Sequence, residues 1–368
     1  MNRINISDFE YKKLKLRRYM AENGYEGAVV ARRDNFAWFT FGGDNKIFRS
    51  TDVGYGILVV TMDTVFLIAQ TMDADRIYDD ELRGLDIEVH KIRWCDESRE
   101  AAAMNLLRGK KIVSDIPIHG TDYRFDDFVD LHTPYTPAEI QRYHEVGALC
   151  DRMLFEIADN VRPGMTEQEI AAMILYAYGR ETMVPKVLLV GSDERISKYR
   201  HPNASDKKLE QILLLAPAAD KFGLHCNISR MAVYGNDIPK QLAEKYELLN
   251  QCLAVTASLC IPGTGMGEVV SARRPILEDA GLTEEYFNHY PGATTGYFMG
   301  SSQPLIENQL IKETQCFDWF ITVTGAKVEE LVMAGERGGM VLSAAGTWPV
   351  KPYPAGDYRC DLPWIYCK

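Results

Sequence analysis

An octapeptide pattern occurs twice in this 368-residue chain. "PGMTEQEI" (163–170) and "PGTGMGEV" (262–269) share Pro-Gly, then four residues, then Glu and an aliphatic residue, with an offset of 99 at every matching position. Each copy follows a helical run and opens another helix. Pro-Gly supplies the turn, and Thr166 is placed as an N-cap with Glu169 three residues on. Two matched halves predict a pseudo-twofold domain whose natural pocket is the seam between them. The second copy contains "GTGMG" (263–267), a fragment of a dinucleotide fingerprint. That fingerprint needs a preceding strand, whereas "YELLNQCLAVTASLC" reads as a helix, and the glycine spacing fails at Glu268. No P-loop, HExxH or GxSxG pattern is present.

The residues ahead of the repeat alternate between two periods. Residues 7–23, 71–82 and 96–109 read as helices. Residues 27–32, 55–61, 64–70, 87–92 and 110–115 read as strands, so an α/β domain is expected. The favoured boundary lies near "LHTPYTPAEI" (131–140), where polar and Pro residues precede a long amphipathic helix to about Asn160. This gives domains 1–134 and 135–368. A formal net charge of -11 argues against a nucleic-acid partner. No apolar stretch approaches a membrane span, so no membrane partner is expected. The charged N-terminus has no apolar signal region. Eight cysteines without a CxxC suit reduced thiols in a cytoplasmic protein. The C-terminal "TWPVKPYPAGDYRCDLPWIYCK" reads as an extended tail that packs on the domain.

Several segments together resemble the Xaa-Pro peptidase and creatinase superfamily, whose fold is called pita-bread. "RRDNFAWFTFGG" (32–43) resembles a strand of that family's N-terminal domain. "TPAEIQRYHEVGALCDRML" resembles its linker helix. "VRPGMTEQEIAAMI" (161–174) resembles its "ikpGmtE-Ei" signature, "GLHCNISRMAVYG" its "gy-sDiTRt-vvG" strand, and "GAKVEELVMA" (325–334) its "GvriEDtvlV" segment. The resemblance implies a creatinase-like α/β domain followed by a pita-bread domain, two α/β halves around a curved antiparallel sheet. It also implies a homodimer.

The family's peptidases hold two metal ions with two Asp, one His and two Glu. Carried over residue by residue, the two Asp fall on Ala216 and Asn227. The His falls on Ala293, and one Glu falls on Phe320, with Trp319 next. The other Glu is retained as Glu329. Methyl groups and a neutral amide are poor ligands for hard or borderline divalent ions, so no metal and no cofactor are expected. His201 matches a pocket histidine of the family and is the candidate general base, with Glu329 assisting. Its bland reading is a loop histidine that caps backbone, and that of Glu329 is an ion-pair partner of Lys327. Asn227, His289, His225 and Tyr297 are candidate substrate-binding residues. By strand alternation His225 and Ser229 share the face of Asn227. Three functions stand open: a metal-independent hydrolase of a small C–N substrate, a non-catalytic binder of an amino-acid-like or peptide ligand, and a metallopeptidase with substituted ligands.

Overall fold

The computed structural model describes residues 5–368. The chain divides into two compact units, one ending at Glu139 and including Phe222–Leu224, the other comprising Ile140–Lys221 and His225–Lys368. In the first unit β1 (Gly27–Arg32), β2 (Val53–Thr61), β3 (Val65–Gln70), β4 (Glu88–Ile92), β5 (Ile112–Ser114) and β6 (Asp122–Tyr123) form one sheet, ordered β4-β3-β2-β1-β5-β6. β1, β2 and β3 pair antiparallel, while β4 and β5 join in parallel. Helices Ile6–Glu22 and Arg99–Leu106 begin where Asn5 and Ser98 accept the N–H groups of Asp8 and Ala101.

One expectation for this unit fails. The segment 32–43 is not a strand, because Arg33–Phe39 forms a helix. Residues Asn35 to Phe39 are all buried, and a short run buried all round carries no period that separates helix from strand. Asp34 sits in the first turn, where a carboxylate suits the helix dipole. The buried Asn35 amide is held by Asp115 at 3.0 Å and His132 at 2.8 Å.

The second unit carries the repeat. Gly164 (φ 91°) and Gly263 (φ 89°) occupy the left-handed region that each Pro-Gly turn requires. Gly164 N–H donates to Leu209 O and Gly263 N–H to Ile311 O, both at 2.8 Å. Leu209 N–H returns to Met165 O and Ile311 N–H to Thr264 O. Glu167 N–H meets Lys207 O as Met266 N–H meets Gln309 O. The same clasp is therefore built twice. Helix Glu167–Arg180 then starts with a complete capping box between Thr166 and Glu169.

Each half contributes a sheet. β7 (Val184–Ser192), β8 (Ile212–Lys221), β9 (Leu224–Asn227) and β10 (Arg230–Val233) belong to the first. β11 (Ala293–Thr295), β12 (Cys316–Val323), β13 (Ala326–Met333) and β14 (Met340–Val341) form the second. The two meet where Ser229 N–H donates to Glu329 O at 3.0 Å. Behind this seam Arg230 is buried between Asp151 (2.8 Å) and Glu330 (2.5 Å). Burial works against its charge, but these two carboxylates raise its pKa. The C-terminal segment is more ordered than an extended tail. It forms the hairpin β15 (Val350–Ala355) and β16 (Tyr358–Pro363), and then β17 (Tyr366–Cys367) joins β10 in parallel. All eight cysteines are free thiols.

Candidate functional site

Strand alternation builds the site from both sheets. On β12, Phe317 and Trp319 stack 5.0 Å apart in the core, which turns Asp318 and Phe320 to the opposite face. Across the ladder Asp318 faces Ala293, Phe320 faces Glu329, and Thr322 faces Lys327. In the other sheet Ala216 faces Leu189 and Ala218 faces Val187. These rows enclose a cavity of about 240 Å³. His201, Ala216, Asn227, His289, Ala293, Phe320 and Glu329 all line it, and so do Asp318 and Lys327.

The polar groups form a chain. Asn227 ends β9, and its Nδ2 donates to Asp318 Oδ2 at 2.6 Å. The Asp318 carboxyl lies close enough to Glu329 to feel its charge, and its Oδ1 has no hydrogen-bond partner. Burial first, and then the charge of Glu329, holds Asp318 well above the usual carboxylate range. That direction favours the neutral carboxyl at Asp318, whose Oδ2 accepts from Asn227. Glu329 is in turn ion-paired with Lys327 Nζ at 2.8 Å, and both side chains are more than nine-tenths buried. The Lys327 ammonium also lies 5.8 Å from the Phe320 ring centre.

At the wall, two imidazoles meet. His289 Nδ1 lies 3.0 Å from Tyr290 O, so Nδ1 is the protonated nitrogen and donates to that carbonyl. His289 Nε2 is left bare and accepts from His201 Nε2 at 3.1 Å. His201 Nδ1 consequently keeps its lone pair. Burial, then the nearby Lys327 charge, lowers the His201 pKa. The same burial, outweighing the Tyr290 bond and joined by Lys327, His201 and Arg200, pushes His289 down to about 4. Both rings are neutral at physiological pH.

Two candidates lie outside the cavity wall. His225 does not line it. Its Nδ1 lies 2.9 Å from Gly296 O and its Nε2 2.7 Å from Lys186 Nζ, so the ring is drawn along the strand edge rather than inward. Tyr297 is fully buried and does not line the cavity either. Ser229 leaves the face of Asn227 because the strand breaks between β9 and β10. Asp318 was not singled out from the sequence, although period-2 alternation from Phe320 points to it.

The positions that match the family's ligand residues present, in order, a methyl (Ala216), an amide (Asn227), a methyl (Ala293), a ring (Phe320) and one carboxylate (Glu329). Among the described residues no three His, Cys, Asp or Glu side chains are grouped so that they could hold a metal ion.

The chain matches the family described as Metallopeptidase family M24 over residues 141–333, more than half its length, and it belongs to that family. Among curated proteins it is 23% identical over 211 residues to a probable dipeptidase PepE of Mycobacterium tuberculosis, covering 55% of this chain and 56% of that protein. The chain thus spans little more than half the length of that relative. Among solved structures it is similar to dipeptidase PepE from Mycobacterium ulcerans (TM-score 0.74, 18% identity, all of both chains). It is likewise similar to the prolidase from Pyrococcus horikoshii OT3 (TM-score 0.73, 18% identity, 90% of this chain and 98% of that one). The fold is the pita-bread fold of the prolidases.

Proposed function

We propose that this M24-family chain is a metal-independent hydrolase of a small C–N substrate. The donor set does not fit a dinuclear metal centre. Divalent ions in such sites need several anionic oxygens or imidazole nitrogens converging on one point, but among the described residues no three His, Cys, Asp or Glu side chains are so grouped, and Glu329 is already ion-paired with Lys327. The observation that carries the proposal is that His201, whose Nε2 is taken up by His289, and the buried Asp318 carboxyl, whose Oδ1 has no hydrogen-bond partner, line one cavity. Groups whose environments push them to opposite protonation states divide base and acid roles between them.

In this reading His201 Nδ1 takes one proton from water as the water oxygen bonds to the substrate carbon. The C–N bond then breaks, and the leaving nitrogen takes the proton from Asp318 Oδ1. The neighbouring Glu329 charge keeps Asp318 protonated, and Glu329, ion-paired with Lys327, does not itself act on substrate. Asn227 orients Asp318. The homodimer, which rests on the family resemblance, and a cytoplasmic location, which rests on the cysteine usage, are part of the same proposal. The experiment is a turnover screen of the purified chain on small amides, ureas and guanidino compounds in the presence of a chelator. A substrate that is hydrolysed under chelation, and lost in His201→Ala, supports the mechanism. Equal turnover by His201→Ala sinks it.

A second reading, ligand binding without chemistry, is favoured by one observation. Glu329 is locked by Lys327 and is not available to a substrate. Saturable binding of a compound that is never turned over is its signature.

A further inference from the structure

The ligand can be read more narrowly from what the cavity leaves unanswered. Lys327 brings three N–H groups into a wall that is more than nine-tenths buried, and among the described residues Glu329 is its one carboxylate partner. Asn227 is 7% exposed, and its Oδ1 has no hydrogen-bond partner. A buried acceptor left unanswered costs about 1–3 kcal/mol, so Asn227 Oδ1 calls for a donor, while Lys327 Nζ, ion-paired with Glu329, keeps further N–H groups for a ligand acceptor. The lining mixes apolar Leu189, Ala216, Ala218 and Phe320 with the polar Ser301 and Ser302 and the two imidazoles. At about 240 Å³ the space lies below the ~300–1,000 Å³ usual for drug-sized ligands.

We infer that the cavity recognises a planar primary carboxamide or terminal ureido group, with its carbonyl oxygen on Lys327 Nζ and an N–H of its terminal NH₂ on Asn227 Oδ1. A free carboxylate offers Lys327 an acceptor but gives Asn227 no donor. An amine does the reverse. A group that carries an acceptor and an N–H donor together answers both atoms. The ammonium also stands where charge develops on the carbonyl oxygen once water adds, so the same contact strengthens along the reaction. This inference deepens the hydrolase reading and rests on it for the chemistry, but its binding half stands by itself.

The test uses the full chain and two probes of nearly equal size. N-carbamoylalanine carries the terminal NH₂, and N-acetylalanine replaces it with CH₃. Calorimetric titration is expected to show the carbamoyl compound binding at least tenfold more tightly. Asn227→Leu is expected to erase that preference, and Lys327→Met to weaken both probes. Because Lys327→Met strands the Glu329 charge, the double variant Lys327→Met/Glu329→Gln removes both charges together and keeps the test open should the single variant not fold. Equal affinity for the two probes, no binding of either, or binding unaffected by the double variant overturns the inference. Tight carbamoyl binding without any turnover leaves the inference intact and instead counts against hydrolysis.

Discussion

Replacing Asn227 with Asp is nearly isosteric and probes the polar chain at its centre. In the native cavity Asn227 Nδ2 donates to Asp318 Oδ2 at 2.6 Å, and both residues are buried. Asn227→Asp removes the donor and turns a carboxylate oxygen toward the oxygen of Asp318. Leaving that buried acceptor unanswered costs about 1–3 kcal/mol. The new carboxyl adds to that cost when it is ionised, because it faces Asp318 and Glu329 without an extra cation. Its folded pKa is therefore raised. A raised carboxyl imposes no charge penalty below its unfolded pKa of about 3.9, and the penalty grows as pH rises through the folded value. At pH 8 the variant should melt lower by roughly 2–12 °C, taking about 2–4 °C per kcal/mol for a unit of this size. The deficit should shrink at pH 5. Differential scanning calorimetry of both proteins at both pH values reads this directly. An unchanged melting temperature at pH 8, or a deficit that grows toward acid, would refute this arrangement of the polar chain.

Further expectations concern the framework. Arg230→Met leaves Asp151 and Glu330 buried without their shared cation, so it should cost about 3–5 kcal/mol in chemical denaturation. Asp115 is fully buried, and burial outweighs its bonds from Ala31, Asn35 and Arg32 to push it up to about 6. Its stabilising share is complete below the ordinary carboxyl pKa near 3.9 and lost as pH rises through about 6. Denaturant midpoints of the first unit's transition should fall between pH 4.5 and 7.5, and Asp115→Asn should flatten that slope.

The seam was legible because the repeat is a backbone device. The Pro-Gly turn specifies the same backbone clasp in both copies, as Gly164 and Gly263 show, while the capping box is present only in the first. Motif matching located the wall residues His201, Ala216, Asn227, His289, Ala293, Phe320 and Glu329 on the same ground, since each sits at a fixed step along a strand or loop. Asp318 escaped because "CFDWFITV" reads as one apolar strand. Only the ladder shows that Phe317 and Trp319 take the core and turn Asp318 inward. His225 misled for the opposite reason. Alternation places it with Asn227, yet a carbonyl and an ammonium from neighbouring segments capture its ring. The helix 33–39 was hidden because a segment buried on every side shows no period at all.

The central claim is that proton and ammonium stand where the family's peptidases hold metal. Elemental analysis of the purified chain, followed by calorimetric titration with Mn²⁺ and Zn²⁺, tests it most directly. The account expects no stoichiometric Mn, Co, Zn or Fe, no saturable heat and no change in melting temperature. One or two ions bound per chain would contradict it, particularly if they raised stability by about 2.7 kcal/mol at a hundredfold excess over Kd.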